Sequence, residues 1–182
     1  MTYEVTSHCD STKENMSVSD MSKSHTEKKT NAIREVEASG LPFEVRYFEC
    51  PEALSGVSVA NLLGLDPDRV FKTLVTQGKS SQHYVFMVPV DCELDLKKAA
   101  AACGEKSIAM IKSKELLPLT GYIHGGCSPI GMNKLFPTYL DETAQLFDTI
   151  TFSGGRLGCQ LEMAPTDLLG LVNANYADLT VI

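Results

Sequence analysis

The chain has 182 residues, a formal net charge of −7 and a hydrophobic fraction of 43%. That length suits one domain with a sizeable core plus an appendage, and no run approaches the roughly 18 apolar residues of a membrane-spanning helix. The acidic balance argues against non-specific binding to a nucleic-acid backbone, although a local basic patch suffices for RNA.

Residues 1–28 are rich in Ser, Thr, Lys and Glu with few aliphatic side chains, and read as a flexible tail of mixed charge. His8 and Cys9 fall inside it without evident partners. The first 20 residues contain no apolar leader core and the first 33 no arginine, so the expected compartment is the cytoplasm. Residues 29–182 read as one folded unit.

Order is expected from Lys29. Ile33 and Val36 at helical spacing predict a helix over Asn31–Ser39, closed by Gly40. A strand follows at Phe43–Phe48, then a helix over Val57–Leu63 ended by Gly64. Asp66-Pro67 offers an N-cap followed by proline at the first helical position, a single turn before the next strand. Residues 70–76 and 83–90 form a predicted hairpin around Thr76–Ser81. Asp95–Cys103 is an amphipathic helix stopped at Gly104, and a shorter helix over Ser113–Leu116 is expected to end before Pro118. Short elements are expected at Gly121–Ile123, Thr138–Leu140, Asp141–Phe147, Ile150–Phe152, Cys159–Met163 and Thr166–Leu171. Hairpins mixed with helices lack the rhythm of a doubly wound sheet. The expected fold is α+β: a single mixed domain with a curved, mostly antiparallel sheet and surrounding helices.

Within this outline Lys72 is conspicuous. It interrupts the apolar run Val70-Phe71-Lys72-Thr73-Leu74-Val75, and period-two alternation puts it on the face of Val70 and Leu74. A buried ammonium is costly, so such a lysine either snorkels from an edge strand, is paired, or faces a functional cavity. Two glycine-rich segments bear on that choice. Gly125-Gly126-Cys127-Ser128-Pro129-Ile130-Gly131 is either a tight turn or a loop whose amides grip a carbonyl or a ribose hydroxyl. It is no phosphate loop, since no Gly-Lys-Ser/Thr follows. Ser153-Gly154-Gly155-Arg156-Leu157-Gly158 is either a bulged hairpin turn or the second wall of a pocket.

Other chemistry is thinly represented. The cysteines at 9, 50, 92, 103, 127 and 159 make no CxxC pair and fit free thiols in a reducing compartment. His124 and Cys127 form an HxxC with nothing to complete a metal site, and no metal or cofactor is expected. No Ser-His-Asp set or HExxH is evident. Lys97–Lys114 holds five lysines against a single glutamate, which is either a solvated helix face or an RNA-binding patch.

Phe71-Lys72-Thr73-Leu74, Gly121–Gly131 and Ser153-Gly154-Gly155-Arg156 with Gly158 and Glu162 together resemble the YbaK/EbsC family, in order and with similar spacing from about Asn31 to Asp178. The family comprises cytoplasmic aminoacyl-tRNA deacylases related to the editing domain of bacterial prolyl-tRNA synthetases. The Gly-Gly-x-Ser-Pro-x-Gly form resembles its Cys-tRNA(Pro) deacylase branch. The resemblance implies trans-editing of Cys-tRNA(Pro), with the substrate's own thiol attacking its ester. Lys72 and Thr73 would be the catalytic residues. Phe48, Gly125, Gly126, Ser128, Pro129, Ser153, Gly154 and Gly155 would hold the terminal adenosine and aminoacyl group. The implied partners are the tRNA acceptor end and a prolyl-tRNA synthetase, with no membrane and no metal. Some members carry tyrosine at the position of Phe48, arginine at Leu157 and aspartate at Gln160, which bears on fine specificity. Rival readings are a deacylase for Ala-tRNA(Pro) or Ser-tRNA, and a non-catalytic nucleotide- or protein-binding module.

Overall fold

The computed structural model describes residues 28–181, so the expected N-terminal tail lies outside the described residues apart from Lys28. The first helix, α1 (Asn31–Ser39), is capped by Thr30, whose hydroxyl accepts from Ile33 N at 3.1 Å, and it ends at Gly40 with φ 70°. Its buried side is Ala32, Ile33 and Val36, a spacing that makes one helical stripe. Strand β1 (Glu44–Tyr47) follows. Helix α2 (Gly56–Leu63) is capped by Ser55 and closed by Gly64. Asp66 caps a 3-10 turn at Pro67–Arg69 that delivers the chain into β2 (Val70–Gly78).

Strands β2 and β3 (His83–Pro89) make the central hairpin, in register from Phe71↔Pro89 to Gln77↔His83. Beyond it lie α3 (Leu96–Cys103), β4 (Ile108–Met110), α4 (Ser113–Thr120), β5 (Thr138–Asp141), a 3-10 turn at Glu142–Leu146, β6 (Ile150–Ser153), β7 (Cys159–Met163), α5 (Pro165–Val172) and β8 (Asn175–Ala177). The described residues form one eight-stranded sheet in the order β1-β7-β6-β2-β3-β5-β8, with β4 also on β2. Four pairings are antiparallel and three, β2–β6, β3–β5 and β5–β8, are parallel. The mixed α+β expectation therefore holds, with the antiparallel share a narrow majority.

Alternation along the hairpin sorts its side chains into two cores. Phe71 and Val75 of β2, with Val85 and Met87 of β3, join the large cluster containing α1, Ile150, Phe152 and Leu161. On the opposite face Tyr84, Phe86 and Val88 pack with Ala99 and Ala100 of α3, while Val70 and Val90 pack with Ala60 of α2. Phe71, Phe86 and Phe152 are essentially inaccessible, and such a side chain contributes about 1.5–3 kcal/mol on burial. Lys72 occupies the second face, opposite Val88 and between the α2 and α3 clusters.

Three local expectations differ. Helix α4 runs through Pro118 to Thr120. Past the proline the last carbonyls are served by Thr120 Oγ1, which donates to Leu116 O at 2.8 Å, and by Gly121 N, which donates to Leu117 O at 2.8 Å. Gly121–Ile123 forms neither strand nor helix. The three-residue strands β4 and β8 have no readable alternation of their own and exist because β2 and β5 offer them an edge.

Candidate active site

The site arises where β2 loses its neighbour. On one side β2 is paired to β3 along its length, but on the other β6 reaches only Val70 and Phe71, and β4 begins at Thr76. The Lys72–Val75 stretch of that edge is left without a strand, apart from one bond from Ile111 N to Val75 O at 3.3 Å. Because Val70 O accepts from Val90 N on the β3 side, alternation turns the Thr73 amide and carbonyl toward the opening.

A cavity of about 290 Å³ occupies this gap, at the small end of the ~300–1,000 Å³ typical of ligand pockets. Its floor is Val70–Leu74 of β2. Leu54, Ser55, Gly56 and Val59 at the start of α2 line it, with Val90, Leu116 of α4, His124, Gly125, Cys127, Ser153 and Gln160 completing the wall. No carboxylate borders it.

Lys72 is half-buried, and its Nζ donates to Val90 O at 3.2 Å. No carboxylate within ion-pair distance neutralises it among the described residues. The lysine is thus a cation held by one carbonyl against a largely apolar cavity, an arrangement suited to developing negative charge. Beside it Thr73 Oγ1 is buried without a hydrogen-bond partner. A buried hydroxyl in that condition is costly unless something else satisfies it.

The two glycine segments form the opposite wall and brace each other. Gly125 takes φ +80°, and a Cβ there would lie 2.9 Å from Leu157 Cδ2 and 3.0 Å from Ala53 Cβ. At Gly126 the Cβ would meet the Arg156 Cα at 2.9 Å, so the loops touch backbone to backbone. The first loop is held inside by Tyr122, whose hydroxyl donates to Ile130 O at 2.6 Å, and by Ser128, whose hydroxyl accepts from Ile130 N. In the second, Ser153 Oγ accepts from Gly155 N at 3.2 Å, and Thr30 Oγ1 donates to Gly154 O at 2.6 Å. The cap of α1 therefore also anchors a wall of the site.

The residues expected from sequence divide accordingly. Lys72, Thr73, Gly125 and Ser153 meet at the cavity. Phe48, Gly126, Ser128, Pro129, Gly154 and Gly155 do not line it: Ser128 is fully buried and committed within its loop, and Phe48 N donates to Gly158 O behind the second loop. Leu54–Gly56, Val90 and Leu116 reach the site only through tertiary packing and carry no sequence signal for it. Gln160 and Leu157, two positions where some family members are more polar, stand at the cavity and over Gly125 respectively.

His124 and Cys127 both border the cavity. Among the described residues no group of three His, Cys, Asp or Glu is placed to hold a metal ion. Burial pushes the Cys127 thiol up to about 12, so it stays protonated at neutral pH and is a poor nucleophile. Cys50, Cys92, Cys103, Cys127 and Cys159 are all free thiols. No helix among the described residues is long and apolar enough to cross a membrane.

Behind the site Glu162 of β7 is the centre of a polar node. Its carboxylate accepts from Arg46 at 2.6 Å, Arg69 at 3.1 Å and Thr149 Oγ1 at 2.7 Å. Burial works to raise its pKa, but the Thr149 hydrogen bond and the two guanidiniums outweigh it and hold the group below the ordinary glutamate value.

Comparison with known proteins agrees with this architecture. The family described as aminoacyl-tRNA editing domain matches residues 50–171. A protein of Enterococcus faecalis provisionally named Cys-tRNA(Pro)/Cys-tRNA(Cys) deacylase EbsC is 48% identical over 161 residues, covering 88% of this chain and 98% of the relative. A proline–tRNA ligase of Pelobacter propionicus is 32% identical over 84 residues, 46% of this chain and 15% of the ligase. A crystal structure described provisionally as a trans-editing enzyme for prolyl-tRNA synthetase superposes with a TM-score of 0.73 at 26% identity, covering 85% of this chain and all of that one. With sequence and fold in agreement, the chain belongs to the aminoacyl-tRNA editing domain family, and its activity is aminoacyl-tRNA deacylation.

Proposed function

We propose that the substrate is Cys-tRNA(Pro), and that the cavity orients the cysteinyl ester for attack by its own thiol. The observation that carries this reading is the composition of the wall: one lysine ammonium, an unpartnered threonine hydroxyl, and no carboxylate. The protein-borne thiol at the cavity, Cys127, is held protonated. A site so equipped lends itself to positioning and electrostatic support, not to supplying a nucleophile. The substrate sulfur forms a bond to the carbonyl carbon, the ester C–O bond breaks, and the thiol proton ends on the ribose oxygen. The products are a cysteine thiolactone and free tRNA. Lys72 faces the developing oxyanion, Thr73 supplies a hydrogen bond, and Gly125 and Ser153 border the aminoacyl group. Phe48, Gly126, Ser128, Pro129, Gly154 and Gly155 act by shaping the loops behind it. A prolyl-tRNA synthetase is the partner suggested by the similarity to part of a proline–tRNA ligase.

The test is deacylation of Cys-tRNA(Pro), Ala-tRNA(Pro) and a serine-charged tRNA by the wild type and Lys72→Ala. Wild type is expected to release cysteine, and to release serine far more slowly, because a hydroxyl is the weaker nucleophile. Lys72→Ala is expected to lose about 10²–10³-fold in kcat, the scale of a removed oxyanion contact, with an unchanged thermal midpoint. Full activity in Lys72→Ala would overturn the role of the lysine, and equal turnover of the serine ester would overturn thiol assistance.

A further inference from the structure

Away from the cavity, the cationic stretch around β4 has a structure that its sequence does not show. Lys97 on α3 and Lys106 border one surface hollow together with Glu105, Ser107 and Ile108. The bond from Lys79 N to Ser107 O, 2.9 Å, brings Lys79 to the same place. The three residues of β4 lie between Lys106 and Lys112, and Lys112 and Lys114 stand at the start of α4. Two residues further on, Leu116 of the same helix is part of the active-site wall. The seven residues Lys106–Lys112, three of them in β4, reach at most about 20 Å, and the row ends beside the cavity.

All five lysines are exposed, and among the described residues none of them makes an ion pair. The two nearest carboxylates, Glu105 in the hollow and Glu115 on α4, accept local hydrogen bonds and pair with none of the five. Glu105 is held by the Ser80 hydroxyl and by Tyr84, the latter at 2.9 Å, and Glu115 accepts from Lys112 N at 2.9 Å. Lys98, in contrast, is paired with Asp178 at 2.8 Å and does not belong to the row. β4 is paired on one edge only, and Ala109 and Met110 leave its surface open. A row of free cations on a chain of net charge −7 is a feature of this face and not of the molecule.

We infer that Lys79, Lys97, Lys106, Lys112 and Lys114 form a phosphate-binding track for the duplex acceptor stem of the tRNA, placed so that its single-stranded 3′ end enters the cavity past Leu116. This rests on the deacylase reading above and adds the surface that carries the rest of the substrate. Unpaired point charges distributed over one face suit phosphate contacts, which position an RNA helix by shape without reading its sequence. Discrimination then falls to the aminoacyl cavity.

The experiment uses the full chain with Lys97, Lys106, Lys112 and Lys114 all changed to Gln, beside a set with Arg at the same four positions. Each is assayed on Cys-tRNA(Pro) and on the cysteinyl ester of a CCA trinucleotide, which has no duplex. The Gln set is expected to lose at least about tenfold in kcat/KM on tRNA, through KM, and nothing on the trinucleotide ester. Its log–log salt dependence should flatten by roughly one per phosphate contact removed, while the Arg set retains wild-type behaviour. Equal loss on both substrates, or none on tRNA, overturns the track. So does a Gln set that binds tRNA normally but no longer responds to added prolyl-tRNA synthetase, which would make this face a protein interface. A wild type inactive on both substrates refutes the substrate reading instead. In that case binding of uncharged tRNA(Pro) still decides the track: unchanged affinity in the Gln set overturns it, and a loss reversed by the Arg set supports it.

Discussion

Lys72 and Gly125 both line the cavity, and each does something its neighbours cannot. Lys72 sits on the β2 face that elsewhere buries Val70 and half-buries Leu74, between the α2 and α3 clusters, and its ammonium is held there by Val90 O at 3.2 Å. Gly125 holds a left-handed conformation, φ +80°, with Ala53 and Leu157 pressed close. An L-residue there costs about 1–2 kcal/mol in backbone conformation alone. Leu157 is a flexible side chain and can swing aside, whereas Ala53 must move its segment, which continues into the Leu54–Gly56 wall. Gly125→Ala is therefore expected to lower stability by about 1–2 kcal/mol and activity by more than that loss explains. Urea denaturation read beside single-turnover deacylation checks this. A variant of reduced stability with full activity would show that the wall does not transmit the displacement.

At the scale of elements, the site depends on loops gripping each other more than on any one of them. Gly126 has no positive φ, yet its Cβ would fall 2.9 Å from Arg156 Cα and 3.1 Å from Arg156 C. Main-chain atoms cannot rotate away, so Gly126→Ala must part the two loops, at the roughly 1–3 kcal/mol typical of overpacking. Deacylation should fall with it, and Gly126→Ser should behave no better, since the clash is with the first side-chain carbon. Melting curves and kcat on Cys-tRNA(Pro) would show this, and a fully active Gly126→Ala would mean the loops move independently. Much of this frame was legible in the sequence. Asp66 caps the turn before β2 as its sequence suggested, Gly40, Gly64 and Gly104 are the stops, and Lys72 stands out as a cation in an apolar run. What was not legible came from distant partners. β4 and β8 are too short to show a period, and α4 continues past Pro118 to Thr120. The gap in the β2 edge is defined by where β4 and β6 happen to stop, which no local pattern encodes.

Over the whole molecule, the half of the sheet carrying the site is tied together from behind by one carboxylate. Glu162 in β7 joins Arg46 of β1, Arg69 of the turn that launches β2, and Thr149 just before β6. The node thus spans the four strands β1, β7, β6 and β2 on which Lys72 and Ser153 are carried. Its carboxylate is well covered, at 11% side-chain exposure, but the arginines are about a third exposed, which discounts the interaction below that of a fully buried network. Glu162→Gln should then cost about 1–3 kcal/mol at pH 7. The sign of the pH dependence follows from the lowered folded-state value. A carboxyl whose folded pKa lies below its unfolded one, near 4.3, contributes fully above that pH and loses its contribution as pH falls through the folded value. Urea midpoints of wild type and Glu162→Gln should differ most at neutral pH and converge on acidification below about pH 4. A gap between the two that stayed constant down to acid pH would mean that Glu162 matters for packing and not for charge. Convergence would identify the node as the acid-sensitive tie of the sheet beneath the active site.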